Sequence, residues 1–583
     1  MSYKLILRPS WPDMHGNLSL CHLERGTRDL QSDCGQTILV CLFFATVIFH
    51  LKHHTTSASK LPLALLCSIV GIILSPIVLF ILFLCGIYRL IARATLYTMY
   101  SNYQGLMNGA DAYWSLEVDS SKAVINIIAY VELKSSGFTD LRCSLKKIFQ
   151  DRLLSEVRLF KLKCLRKLSM FGYFYWEEME EVCIDDHIRW MDLDTVTDNS
   201  MTDYLSKNCN NPLPQNNLSL WEVEVAKHPL TRDGRRLYPV LFRIHHAVGD
   251  GMALVSLFLS SFTDNCLSNR LEAIQEKQMK TMKQDTGPTK DLLQVPYQRR
   301  RRKSSIFHGD ELNKLNKHCI YGVTTMLQKI SVVLLAPYVL LSQACYGVDK
   351  NLLHGAELVG KKHVGWAYGN GTLTKVKFIK NRLNCYFTDV ILLAISNVFE
   401  EYYSMYGKPP RDLTVVIPAR MPYEDEFNTT NILTNRFTVG MIKLPIADPD
   451  KFQAVRRSAD RLRTHPDYLV NYWLLKVICT YIPIVLLKSA MESRQATLAM
   501  SNIPGPNSLT KIDGNLIHDL VFLLPNRDTT GVGVSMLSYA GKMNFGLIVD
   551  SALIPYKEDA THIAQRMVAE IDKIYFCVKD KCG

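Results

Sequence analysis

The sequence predicts an α/β protein of two globular halves behind a membrane segment. With 583 residues it exceeds what one ordinary core holds, so two halves are the default. A buried-strand pattern from Leu237 to Ile244 runs through a glycine turn straight into an apolar helical run, Met252 to Phe262, and strand-like and helical runs continue through the second half. Near the N-terminus, Leu61 to Ile87 carries no charge for longer than the ~20 residues that cross a bilayer.

Taken in order, residues 1–34 form a polar segment of mixed charge, and residues 35–95 a membrane segment with two apolar runs, 35–51 and 61–87. The first run is short for a ~30 Å hydrocarbon core; the second is ample, although Pro76 is expected to kink it. Lys52 to Lys60 is a polar turn between them. The expectation is a membrane hairpin that returns the chain to its starting side; the alternative is one span preceded by a re-entrant segment. The mixed-charge leader argues against a cleaved signal peptide. Arg25 and Arg28 before, Lys52 and Lys60 between, and Arg89 and Arg93 after are too balanced to set an orientation.

Composition narrows the class. Hydrophobic residues make up 48% and aromatics 10%, the signature of a slightly lipophilic globular chain. The net charge of +12 suits an anionic membrane or anionic substrate but is too diffuse for nucleic acid. The 16 cysteines are scattered without metal spacing, as in reduced thiols facing the cytosol.

The densest chemistry is Arg243-Ile-His245-His246-Ala-Val-Gly249-Asp250-Gly251, where a strand ends in two histidines and an aspartate opens a helix. Gly249 and Gly251 allow the sharp turn. Neighbouring strand residues point to opposite faces, so His245 and His246 do not chelate one metal together, and no metal site is expected. Asp250 reads locally as the helix N-cap.

His245-His246-x-x-x-Asp250-Gly251 resembles the motif of the CoA-dependent acyltransferase superfamily. Within it, the chain resembles the wax ester synthase/acyl-CoA:diacylglycerol acyltransferases over about residues 100 to 577. Asp111 and Trp114 precede a strand, Val124 to Val131. Asn217 to Val225 is similar to the family's Pro-Leu-Trp segment, with Ser219 in place of Pro, and pairs with 237–244 through the Thr231-Arg-Asp-Gly234 turn. In the second half, Val376 to Ile379 reads as a strand. Thr388-Asp389, before a long amphipathic helix, is similar to the family's Asn-Asp and reads as its cap. Leu413 to Arg420 is a buried strand; Asn435 to Gly440 resembles the Gly-Asn segment, with Thr434 in place of Gly. Ser501-Asn502-Ile503-Pro504-Gly505-Pro506 and Ser538 to Phe545 resemble turns of the family's C-terminal domain.

The resemblance implies two chloramphenicol-acetyltransferase-like subdomains with mixed sheets around a central tunnel. The first, 100–265, carries the motif; 266–360 is a linker and crossover; 361–580 is the second. His246 would be the general base that takes a hydroxyl proton as oxygen attacks a thioester. His245, Asp250 and Gly251 would support the motif, Asp250 paired with an arginine and Gly251 leaving room for substrate. No cofactor is bound; acyl-CoA is the co-substrate. The partners are long-chain acyl-CoA, a fatty alcohol or diacylglycerol, and membrane lipid. The place is a membrane, the endoplasmic reticulum ahead of the plasma membrane, with the catalytic part in the cytosol. Neither the oxyanion stabiliser nor the arginine can be named from sequence.

Three other segments have plainer readings. The basic run Arg299 to Lys303 is a solvated linker first and a lipid contact second; Ile330 to Cys345 and Tyr472 to Met491 are buried helices first and tunnel walls or bilayer-dipping surfaces second. Two further functions compete. A His-x4-Asp glycerolipid acyltransferase would use His245 and Asp250, but its downstream Pro-Glu-Gly-Thr segment is missing. A lipid-binding membrane protein with a lapsed site would not need the intact motif. A serine hydrolase lacks its Gly-x-Ser-x-Gly elbow.

Overall fold

The structure, a computed structural model, describes residues 61–134, 138–213, 219–264, 329–421, 433–492 and 494–580. The apolar run 35–51, the segment before it and the basic run 299–303 lie outside them. The second apolar run is helical: α1 spans Leu61–Met99 and continues through Pro76.

Numbered in chain order, the principal strands are β1 (Val124–Glu132), β2 (Trp221–Val225), β3 (Arg235–His245), β4 (Lys362–Ala367), β5 (Asp412–Arg420), β6 (Phe437–Pro445), β7 (Leu498–Pro504), β8 (Asn515–Leu523), β9 (Val532–Tyr539) and β10 (Lys542–Asp550). The first sheet runs β8-β1-β3-β2, with Lys511–Ile512 added beyond β8 and Ile188–Trp190 beyond β2. The second runs β6-β5-β7-β9-β10-β4. Both are mixed: Ile188–Trp190 is parallel to β2, and β5, β7 and β9 are mutually parallel, while the remaining pairs are antiparallel. An α/β fold with mixed sheets is therefore what the chain adopts.

Strand β1 is buried on both faces, which explains its near-continuous apolar run. Ala129 and Val131 enter the core of the first half, whereas Ile128 and Tyr130 meet Trp366 and Ile548 of the second sheet. Strand β8 lies between β7 and β9 in sequence yet pairs with β1, Phe522 opposite Ile127. The second half thus completes the first sheet. The expected hairpin turn into β3 is present, with Asp233 and Gly234 both at positive φ, the conformation of a tight primed turn.

Helix α2 (Gly109–Ser115) precedes β1, α3 (Gly251–Leu257) follows β3, and α4 (Lys329–Ala344) precedes the second half. In that half, α5 (Thr372–Leu383), α6 (Phe387–Tyr406) and α7 (Lys557–Asp580) cover the sheet. Val376 to Ile379, expected as a strand, lies inside α5. Val376 and Ile379 are both buried, three apart on one helical face with Lys377 outside, a period that four residues alone do not reveal. Helix α4 is half-buried, with Leu335 and Val339 inside but Val333, Leu340 and Leu341 exposed. Tyr472 to Met491 is a broken run of short helices interrupted at Pro483.

Helix α7 lies directly on β4 at Gly365, where a Cβ would sit 2.3 Å from the Thr561 amide nitrogen. Gly365→Ala should therefore push the helix from the sheet and cost about 1–3 kcal/mol, the usual penalty of overpacking. Thermal denaturation beside Lys377→Ala, an exposed position on α5, would show the difference as a lower Tm.

Candidate active site

The motif sits where β3 ends. The His245 amide donates to the Leu220 carbonyl and the His246 amide to the Ala123 carbonyl, so both histidines are still in register between neighbouring strands. Their side chains consequently leave opposite faces. Among the described residues, no three His, Cys, Asp or Glu side chains gather as a metal would need.

His245 turns into a closed polar pocket. Its Nδ1 accepts the Ala247 amide at 3.0 Å, which leaves the proton of the neutral ring on Nε2, 3.1 Å from Glu117 Oε1. Arg166 stands 2.8 Å from the same nitrogen and pairs with Glu117 at 3.0 Å. Burial would raise the Glu117 carboxyl, but the hydrogen bond and charge of His245, the Arg166 charge and the Ala123 amide bring it down to about 2. Burial lowers His245 against the pull of Glu117, and both of its ring nitrogens are engaged.

His246 is placed differently. Its ring stacks on Trp114 with centroids 3.8 Å apart and meets Phe437 at 5.8 Å. Nδ1 is enclosed without a partner, yet the residue keeps some accessible surface, so Nε2 is the nitrogen left to meet another molecule. Burial lowers its pKa to about 3, with the His245 and Arg527 charges adding to the effect and its own backbone and Asn435 opposing it. The ring is neutral at any physiological pH.

Asp250 caps α3 through Oδ1, which accepts the Ala253 amide at 2.8 Å. Its Oδ2 accepts the main-chain amide of Arg436 at 2.8 Å, and its own amide donates to the Thr434 carbonyl at 3.4 Å. The arginine that meets Asp250 here does so through its backbone. Because Thr434 contributes only a carbonyl to this link, Thr serves as well as Gly. His245 and Asp250 engage separate partners. Gly251 is in close contact with Ile503, whose Cδ1 would lie 2.3 Å from an added Cβ; the space beside it is occupied by this chain's own side chain.

Behind the motif lies a buried ion pair that sequence reading missed. Lys161 Nζ is 2.6 Å from Asp111 Oδ2, and both residues are nearly fully enclosed. Lys161 also donates to the Val248 carbonyl at 3.3 Å. From the second half, Asn435 Nδ2 reaches Asp111 Oδ1 at 2.9 Å and the His246 carbonyl at 2.8 Å. Asp111 and Asn435 stood out as family-like segments, but nothing in the pattern around Lys161 signalled a buried ammonium. Arg527 closes the far side, lying 3.6 Å over the Tyr113 ring and donating to the Tyr113 carbonyl. Asp389 caps its own helix, accepting the Tyr386 amide at 3.0 Å, and pairs with Arg463 in the other half's core. A cavity of about 300 Å³ opens elsewhere, between Lys443, Arg457 and Arg461.

Residues 433–575 match the WS/DGAT C-terminal domain. The chain is 22% identical over 419 residues to the O-acyltransferase WSD of Acinetobacter baylyi, covering 67% of this chain and 82% of that one. Its C-terminal part is that of the wax ester synthase/diacylglycerol acyltransferase family. A putative diacylglycerol O-acyltransferase of Mycobacterium tuberculosis is 20% identical over 486 residues, 77% of this chain and 94% of that protein. For the fold, the trichothecene 15-O-acetyltransferase of Fusarium sporotrichioides superposes with a TM-score of 0.51 at 11% identity, over 81% of this chain and 94% of that one. Like these relatives, this protein is an acyltransferase.

The ion pair yields a direct test. Lys161→Met strands the Asp111 carboxylate and should cost about 3–5 kcal/mol, whereas the double variant Lys161→Met with Asp111→Leu should recover most of that loss. Chemical denaturation of the two variants and the parent measures it.

Proposed function

We propose that this protein moves a long-chain acyl group from acyl-CoA to the hydroxyl of a fatty alcohol or diacylglycerol, with His246 as general base. The observation that carries the reading is the state of His246: a neutral ring, braced on Trp114, with Nδ1 enclosed and Nε2 open. An alcohol is a weak nucleophile and needs such a base within hydrogen-bond reach. Nε2 takes the hydroxyl proton as the oxygen forms a bond to the thioester carbonyl carbon. Collapse of the tetrahedral oxyanion breaks the carbon–sulfur bond, and the proton passes from Nε2 to the departing CoA thiolate. No acyl-enzyme is needed. Burial makes the imidazolium costly, so it persists only beside the negative oxyanion or thiolate, which favours prompt return of the proton.

Both substrates of this reaction carry long alkyl chains, and α1 offers the means of reaching them. It is apolar and long enough for a membrane, so we assign the enzyme to a membrane surface, the endoplasmic reticulum first, with the catalytic part facing the cytosol where acyl-CoA is found.

The two histidines separate this mechanism from its competitors. His246→Ala should lose about 10²–10⁴ in kcat with the melting temperature kept. His245→Ala should lower stability more than rate, because it leaves a void and takes a hydrogen bond from the buried Glu117. Initial rates with palmitoyl-CoA and competing hexadecanol and diacylglycerol, with products resolved, measure both and name the acceptor. An inactive, stable His245→Ala beside an active His246→Ala would favour the His-x4-Asp route, and no transfer at all would favour lipid binding alone.

Acidity gives a second test. With the pKa of His246 near 3, the base stays unprotonated far below the ~6.5 of free imidazole, so kcat should remain level from pH 8 to about 5.5. The unfolded chain does bind a proton below about 6.5, so stability from this group is whole above that pH and is lost as pH falls towards 3. The parent should therefore lose Tm below pH 6.5 more steeply than His246→Gln in parallel scans.

A further inference from the structure

Helix α1 is apolar all round, yet one side of it is engaged along most of its length. Ser68 donates Oγ to the Leu334 carbonyl at 2.9 Å, and a Cβ on Gly71 would lie 2.7 Å from the Val333 carbonyl and 3.0 Å from Pro337. Helix α4 is thus tight against this part. Further on, Gly86 faces the Tyr481 ring at 3.8 Å, and Tyr88 meets Phe171 with centroids 5.9 Å apart. Arg89 donates to the carbonyls of Thr480 and Met107 at 2.8 and 2.9 Å. Ala92 and Leu96 are buried.

Ser68 and Arg89 stand roughly 30 Å apart at 1.5 Å per residue. That equals the ~30 Å thickness of a bilayer's hydrocarbon core. An upright helix would place these two sets of contacts at opposite membrane surfaces. Both sets, however, belong to one face of the catalytic domain. Helix α4 rests on it through Tyr338 against His465, 5.6 Å between centroids, and Gln343 to Asn471 at 3.2 Å. From Asp467 through Asn471 to Tyr481 the chain is a continuous run of helical segments that ends beside Arg89 and Gly86. Upright insertion would draw the buried His465–Asp467 pair, with Gln343 and Asn471, to the depth of the lipid tails, where polar groups are most costly. The outward face of the same two helices is apolar and exposed, with Ile73, Phe80, Phe83 and Leu90 on α1 and Leu340 and Leu341 on α4.

We infer that α1 does not cross the bilayer but lies in the plane of one leaflet, flat along the catalytic domain, with α4 immersed beside it. The inference rests on the membrane-bound reading above. It places the polar stretch Lys52 to Lys60 in the same compartment as the catalytic domain, whereas an upright α1 places them on opposite sides.

The test uses the full-length protein in sealed microsomes, with one protease site inserted between Thr56 and Ser57 and a second appended after Gly583. The insertion should leave acyl transfer unchanged, since it precedes both catalytic halves in the sequence. In-plane placement makes the two sites behave alike, both cut or both protected before detergent is added. Protection of the first until detergent, with the second cut at once, would overturn it. Complete release of the parent by alkaline carbonate would instead overturn the membrane reading beneath it.

Discussion

A buried carboxylate and a buried ammonium, Asp111 and Lys161, set the terms for everything around the motif. Neither ion is tolerable alone at that depth, and each has hydrogen-bonding capacity beyond what its partner fills. Asp111 takes its remaining donors from Asn108 and Asn435; Lys161 spends its spare protons on the carbonyls of the turn that follows the histidines. The direction in which His246 looks is therefore fixed by the needs of two charges behind it. Since Asn435 belongs to the second half, the loop is fully held only when the two halves have closed on one another.

The paired histidines show how one residue type does two jobs when its surroundings differ. His245 has a partner for each nitrogen, the Ala247 amide at Nδ1 and at Nε2 the Glu117 carboxylate, which Arg166 holds in turn. His246 has an aromatic plate on one face and no hydrogen-bond partner at Nδ1. Burial lowers the pKa of both, but only the second has a nitrogen free to accept a proton from outside the chain. Glu117 matters through this contrast: its charge is satisfied by His245, Arg166 and the Ala123 amide, and none of it is directed at His246.

Much of this was legible beforehand, and the reasons for the rest are physical. Strand β3, its turn and helix α3 announced themselves because apolar runs and glycines are local signals, as did the opposite facing of His245 and His246, which follows from strand geometry alone. Asp250 as a cap is equally local. What escaped was everything that depends on distant segments meeting: Lys161 under the turn, Arg166 against His245, Arg527 over Tyr113, and Ile503 against Gly251. The space expected at Gly251 was likewise a guess about a remote neighbour. The α5 misreading was of another kind, since Val376 to Ile379 is too short for its period to show.

The placement of β8 has a bearing on how the molecule is made. Strand β1 emerges early in synthesis, but its partner on one edge, β8, lies roughly 400 residues further on. Closing so long a loop is slow, and an unpaired strand edge adheres to whatever edge it meets first. Through most of translation the nascent chain must therefore carry β1 with one side bare. Residues 61–99, already released by then, are apolar and long enough to engage a bilayer while that edge waits, which would keep the incomplete chain dispersed and separated from its siblings.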